Sequence, residues 1–358
     1  MRSKESGFTF RLGRFFLYLL SLPFQFCVNL RNKAFDQGWL AQYQAPVPVV
    51  MSIGNIVAGG TGKTPMTLLV AQTFAGEFVV AVCSRGYRSP AEKLSSPLQL
   101  SKGEGPIHPA SYCGDESYLI SQNVPSALAF VGKDRKKAAN FAAKEGAKLL
   151  ILDDGMQHRQ LSRDLEVVLV DAKEPFGYHY FLPRGTLRES PNSLSRADLI
   201  VVTNVQDSTK YSELEFELSG YSTAPVVGVK LEVAKVMDLS GNQMDSLKDK
   251  KVGIFCGIAH PEYFEETVNQ LGAEVVSRAF TADHVTLESS ELQKFAIQAK
   301  EDGADFLVCT EKDRVKLSED VETELPILWI RAELRILEGK ENWEAFTDKV
   351  RKMVSVKS

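Results

Sequence analysis

The chain has 358 residues, 44% apolar and 25% charged, with a net charge of −4. That balance excludes a mainly disordered chain and a general nucleic-acid binder. No apolar run reaches the ~20 residues of a membrane-spanning helix. At roughly 150 residues per domain, the length predicts two domains, each with its own core. The five cysteines, Cys27, Cys83, Cys113, Cys256 and Cys309, include no CxxC pair. This predicts reduced, mostly buried thiols in a cytoplasmic protein rather than a disulfide or zinc framework.

The charge is uneven. Residues 1–45 hold Arg2, Lys4, Arg11, Arg14, Arg31 and Lys33 against Glu5 and Asp36, a local charge of +4. Within them, Phe15–Val28 is strongly apolar, too short to span a bilayer, and interrupted by Pro23. A helix here places Arg11, Arg14, Tyr18, Ser21 and Gln25 on one stripe and Phe and Leu elsewhere. That pattern suits a helix lying in a membrane interface. A buried core helix and a signal peptide are the competing readings; the second lacks an A-x-A-like cleavage site. Residues 1–35 are expected to form an amphipathic, membrane-associated helix belonging to the first domain.

Pro46–Ile56 then reads as a buried strand, Ala58–Ala75 as a Gly-rich turn and helix, and Phe78–Tyr87 as a second buried strand. Asp134–Gly146 has helical spacing and a terminal Gly. Ala147–Gly155, Glu166–Ala172 and Ala197–Asn204 are further apolar runs of strand length. Continuous apolar strands alternating with helices predict a parallel sheet covered by helices on both faces. From about Pro225 to Leu239 the sequence becomes more polar and alternating. The βα pattern restarts with Lys250–Pro261, Gly272–Phe280, Leu287–Gly303 and Ala304–Asp313. Pro326–Leu337 alternates again, and a closing helix is expected over about 342–354.

The strongest local signal is Ala58-Gly59-Gly60-Thr61-Gly62-Lys63-Thr64. It follows a predicted strand and opens a predicted helix, the context of a phosphate-binding P-loop. Glycines let backbone N–H groups wrap phosphates at a helix N-terminus. Lys63 can reach the β- and γ-phosphates, and the Thr64 hydroxyl can ligand Mg²⁺. Val57 stands where the general pattern has its first Gly. Residues Val57–Thr64 are therefore expected to bind ATP. The predicted fold is α/β: a P-loop NTPase-like domain over 36–225 and a smaller α/β domain over 226–358 that includes the closing helix. Segments 226–238 and 327–337 are expected to pair as a two-stranded linker. The alternative function is a membrane-surface P-loop ATPase that switches without phosphorylating lipid. Such dimerising ATPases carry K-G-G-x-G-K-T, and Ala58 at the first Lys counts against that class.

Several clusters can serve this loop. Asp153 and Asp154 end a predicted strand, where such folds hold Mg²⁺; a solvated turn is the bland alternative. His158, close behind, is a candidate for active-site support. Asp115, after Gly114, is either a helix N-cap or the base for an acceptor hydroxyl. The loop Phe181–Glu189 offers Arg184 and Arg188 to offset phosphoryl charge, and Glu189 as a metal ligand. Asp283-His284 and Thr310-Glu311-Lys312-Asp313 follow strands of the second domain, where α/β sheets place ligands.

Together, S-I-G-N-I-V-A-G-G-T-G-K-T-P, G-D-E, D-D-G-M-Q-H-R-x-L-x-R-D, L-P-R-G-x-L-R-E, D-H and T-E-K-D occur in the order that resembles the tetraacyldisaccharide 4′-kinase family. The resemblance covers nearly the whole chain and accounts for Val57, because the family itself lacks that first Gly. It implies MgATP-dependent phosphorylation of the 4′-hydroxyl of a tetraacylated disaccharide 1-phosphate, giving the bis-phosphorylated lipid A precursor. It implies peripheral docking at the cytoplasmic face of the inner membrane, with no nucleic-acid or protein partner. By motif it assigns Lys63, Asp115, His284 and Arg188 to catalysis. Thr64, Asp153, Asp154 and Glu189 are assigned to the metal, and His158 to support. Arg184 is a further candidate contact to the substrate phosphate. Two positions depart from the pattern: P-R-G-T-L-R-E replaces the commoner P-A-G-P-L-R-E, and Val285 follows D-H where an aromatic or second His is frequent.

Overall fold

The computed structural model describes residues 8–357 except 283, 284, 286, 319 and 320, with side chains from residue 13. Helix α1 (Phe8–Asp36) leads to β1 (Val49–Asn55) and α2 (Lys63–Phe74). Strands β2 (Val80–Ser84) and β3 (Leu98–Lys102), short helices α3 (Ala110–Cys113) and α4 (Asp115–Asn123), β4 (Leu128–Val131) and α5 (Arg135–Lys144) follow. Then come β5 (Leu149–Asp153), β6 (Leu165–Asp171), β7 (Leu199–Thr203) and α6 (Ser208–Ser219).

Every residue of β1, β2, β5, β6 and β7 is buried. Apolar side chains on both faces of a strand need cover on both sides, which helices supply. The order β3-β4-β2-β5-β1-β6-β7 is parallel except for β3, which pairs antiparallel with β4 at the edge. The sheet therefore turns back on either side of β1, and its loops open at the strands' C-terminal ends.

β8 (Val226–Asp238) extends the sheet, pairing parallel with β7 through Val226, Val227 and Gly228. It then pairs antiparallel along its length with β13 (Ile327–Glu338). Between these two lie β9 (Gln243–Met244), β10 (Lys251–Cys256), α7 (Pro261–Gln270), β11 (Glu274–Phe280), α8 (Ser289–Glu301), β12 (Phe306–Thr310) and α9 (Glu311–Arg314). The order β13-β12-β10-β11 is parallel. One continuous sheet thus has a first half on β1–β7 and a second on β10–β12, bridged by β8 and β13.

The closing helix α10 (Lys340–Lys357) differs from the sequence expectation, which grouped it with residues 226–338. It returns to the first half, where Phe346, Val350 and Val354 enter the core of Val49, Leu165 and Leu199. Arg351 pairs with Glu77, and Lys349 with Asp198. The physical reason is that β13 runs back along β8 and delivers the chain beside β1.

Helix α1 lies against the first half with much of its apolar surface outward. Phe15, Phe16, Leu20 and Phe26 are 53–66% exposed, which a core helix would not show. Its C-terminal part is fastened down. Phe24 meets Phe181 edge-on, Asn32 bonds Glu189, and Asp36 pairs with Arg159 at 2.7 Å. No helix among the described residues is long and apolar enough to cross a membrane.

Candidate functional site

The turn between β1 and α2 is built by its own sequence. Gly59 and Gly62 adopt φ of +119° and +85°, which residues with a Cβ rarely reach. The buried Asn55 amide donates to the Thr61 hydroxyl at 2.7 Å and pins the loop to its strand. Lys63 Nζ donates to the Gly59 carbonyl at 3.2 Å, curling over the turn, and lies 3.9 Å from Asp154. Val57 does not line the cleft. It is 5% exposed, packs in the core with Ile56, and pairs across to Leu187. A strand-like pairing residue therefore replaces the first Gly, and the binding turn begins at Ala58, whose N–H donates to the Thr186 carbonyl.

The L-P-R-G-T-L-R-E segment is thereby fixed against the loop. The amides of Arg188 and Glu189 both donate to the Ile56 carbonyl. This aims Arg188 at Asp154, with Nη1 at 3.0 and 3.2 Å from the two carboxylate oxygens. Burial pushes the Asp154 carboxyl up, but Lys63 and Arg188 outweigh it and hold the group below its usual range. Asp153 behaves oppositely. It accepts from the hydroxyls of Thr67 and Ser84 at 3.1 and 3.4 Å. Burial, reinforced by Glu116 and Asp154, pushes it up to about 6.

Asp115 opens α4 beside these groups. Its Oδ2 lies 3.8 Å from both Lys312 and Lys316, which come from the second half of the sheet. Lys63, Thr64, Asp153, Asp154, Asp115 and Arg188 all line one cleft of about 710 Å³. Its opposite wall is Ile258–His260, Tyr263, Phe264 and Thr310–Lys312, with Leu231, Ile330 and Leu334 of the bridging strands as an apolar floor.

Besides Val57, three expected site residues lie elsewhere. Glu189 is fully buried, and its oxygens accept from Asn32 (2.5 Å), Gln157 (3.0 Å) and Arg196 (2.8 Å). This cluster, not the cleft, fills its coordination. Arg184 stacks 3.8 Å over the Tyr180 ring and donates to the Arg14 carbonyl, tying the loop to α1. His158 is half-buried and does not line the cleft, with no partner for Nε2. Burial, with Arg135 and Arg163 nearby, pulls its pKa down to about 4, so it is neutral at pH 7. Asp283 and His284 lie outside the described residues.

Sequence reasoning missed Arg135. It is the first residue of α5, 4% exposed, and lines the cleft with its Nη1 unbonded. A buried guanidinium with an unused donor beside two carboxylates is costly unless an anion completes it. The only sequence signal was the basic run Arg135–Lys137 after Asp134, which reads as a solvated helix face. Asn204 also lines the cleft, at a φ of 59° and bonded to Asp171.

A parallel sheet with a glycine turn over a helix N-terminus, two carboxylates at the next strand end and an arginine on them define a P-loop NTPase-like α/β protein. Residues 13–351 match the family model for tetraacyldisaccharide-1-P 4′-kinase. The chain is 36% identical over 335 residues to the tetraacyldisaccharide 4′-kinase of Syntrophus aciditrophicus, covering 89% of this chain and 88% of that protein. It is 37% identical over 310 residues to that of Anaeromyxobacter dehalogenans, covering 84% and 80%. The crystal structure of LpxK from Aquifex aeolicus in complex with ATP superposes with a TM-score of 0.73 at 26% identity, covering 94% of this chain and 99% of that one. The chain belongs to the tetraacyldisaccharide 4′-kinase family.

Proposed function

We propose that this chain transfers the γ-phosphoryl group of ATP to the 4′-hydroxyl of a tetraacyldisaccharide 1-phosphate, giving the bis-phosphorylated lipid A precursor. The observation that carries the reading is convergence. Lys63, Asp153, Asp154, Arg188 and Asp115, scattered over 126 positions of the chain, meet in one cleft at the P-loop.

The amides of Gly59–Gly62 and the Lys63 ammonium cradle the phosphates. Lys63, Arg188 and Arg135 offset the charge that spreads over the equatorial oxygens in the transition state. Asp115 orients the acceptor hydroxyl and takes its proton as the bond to phosphorus forms. The resemblance alone gives His284 a place beside Asp115.

The donor set fits Mg²⁺. Thr64, Asp153 and Asp154 are hard oxygen donors at the phosphate turn. Bound there, Mg²⁺ would neutralise phosphate charge.

The outward apolar face of α1 supports peripheral docking on a membrane surface, which we read as the cytoplasmic face of the inner membrane, where an acylated substrate resides. We read the two halves of the sheet as two lobes joined by β8 and β13. A switch ATPase finds less support, since Ala58 lines the cleft where that class has its lysine.

Steady-state ADP release in detergent micelles tests the roles. Asp115→Ala is expected to lower kcat at least about 100-fold with little change in KM for the lipid, because a base acts in the transition state. Near-normal kcat in Asp115→Ala would remove the base assignment.

A further inference from the structure

The segment Thr310–Lys316, at the end of β12, reaches across the cleft and grips α4 at both ends. At the C-terminal end, Asn123 donates to Glu311 at 3.2 Å, and Arg331 of β13 holds the same carboxylate at 2.5 and 3.0 Å. At the N-terminal end, Lys312 Nζ lies 3.3 Å from Glu116 and 3.8 Å from Asp115. Lys316 Nζ lies 3.8 Å from Asp115 and 3.1 Å from Asp313. Asp313 is itself anchored, accepting from the Thr310 hydroxyl at 2.6 Å and the Gly257 amide at 3.0 Å. All four residues of T-E-K-D therefore have distinct work: Thr310 and Asp313 fix the turn, while Glu311 and Lys312 hold the two ends of a nine-residue helix.

The charged groups are largely out of water. The side chains of Asp115, Lys312 and Lys316 are 12%, 18% and 9% exposed. Charges so placed are little screened by salt, unlike a surface pair. At 3.8 Å the two ammonium groups act on Asp115 by charge rather than by hydrogen bond.

We propose that Lys312 and Lys316 are positioning residues for phosphoryl transfer. They hold the Asp115 carboxylate in register with the phosphate loop, and they make its placement depend on residues of the second half of the sheet. This rests on the kinase reading above.

The test is steady-state kinetics on the full-length chain in micelles, with each variant's thermal melt recorded. Lys312 is the primary position, because replacing the more buried Lys316 would strand Asp313. Lys312→Gln is expected to lower kcat about 10- to 100-fold, the scale of an ångström's misplacement of a reacting group, with KM for ATP changed by less than about 2-fold. Lys312→Arg is expected to restore most of the rate. Asn123→Ala, outside the cleft, is expected to lower kcat several-fold through the other end of α4. Lys300→Ala, which breaks only the surface pair with Glu324, is expected to leave kcat unchanged. Unchanged kcat in both Lys312→Gln and Asn123→Ala would overturn the proposal. So would a rise in KM for ATP matching the fall in kcat, which would make Lys312 a phosphate ligand. Wild-type protein that phosphorylates no lipid would instead remove the kinase reading, and with it the role given to Asp115.

Discussion

Removing the Glu189 carboxylate separates the two roles open to it. Its side chain is fully buried and takes hydrogen bonds from Asn32, Gln157 and Arg196, with Arg31 at 4.0 Å. Glu189→Ala leaves Arg196, which is 20% exposed, facing the emptied, buried space. Hydrogen bonds to a charged group contribute about 1.5–3 kcal/mol each, and breaking a buried ion pair from one side costs about 3–5 kcal/mol. The second figure is the better guide, because three bonds to one carboxylate are not additive. Against a total stability of roughly 5–15 kcal/mol, the expected loss in melting temperature is on the order of 10 °C.

Acid supplies a second signature of the same group. Burial alone would raise this carboxyl, but Arg196 and its hydrogen-bond donors hold it below the usual range. A depressed carboxyl stabilises the fold above its unfolded pKa of about 4.3. That contribution is lost as pH falls through the lower folded value, so wild type and variant should converge in acid. The assay is thermal unfolding by circular dichroism at pH 7 and below pH 4, with kcat measured at several Mg²⁺ concentrations. A melting point within about 2 °C of wild type, with activity restored by excess Mg²⁺, would refute the structural role and make Glu189 a metal ligand.

Arg135→Met is expected to lower kcat about 100-fold or more while the protein still folds, because a cleft-lining guanidinium with an unused Nη1 donor is lost; unimpaired turnover would refute its contact with phosphate. Of the five thiols, only Cys27 is exposed, and burial pushes Cys83 up to about 11 and Cys113 and Cys256 to about 12. A thiol reagent at pH 8 should therefore modify one cysteine in the native protein and five after unfolding, and more than one fast-reacting native thiol would contradict the burial. Leu20→Asp with Phe26→Asp, at side chains 59% and 66% exposed, should reduce sedimentation with anionic vesicles at least about 10-fold without lowering the melting point. Undiminished vesicle binding would move membrane contact off α1.

The parts legible in the sequence were those written in short range. The fully buried strands β1, β5, β6 and β7 announce themselves as short runs dominated by Val, Ile and Leu, and the phosphate turn as glycines before Lys63. Asp153 and Asp154 were legible because a strand ends on them. What failed was long-range. Whether α10 packs on the near or far half depends on β13 running back along β8, which local pattern does not encode. Glu189 follows Arg188 directly, yet backbone bonds to Ile56 turn one side chain to the cleft and the other into the α1 junction. Val57 matched a phosphate-loop position but serves as a pairing residue. Arg135 was hidden in a basic helix start, because its burial comes from elements far along the chain. Lys312 and Lys316 meet Asp115 across roughly 200 residues, a contact that periodicity cannot show.

The most direct test of the central claim is transfer of label from γ-labelled ATP to tetraacyldisaccharide 1-phosphate in detergent micelles, with Lys63→Ala alongside. Labelled lipid bearing the new phosphate at the 4′ position, falling at least about 100-fold in the variant, is the predicted result. Free labelled phosphate without labelled lipid would contradict it and point to nucleotide hydrolysis or a different acceptor.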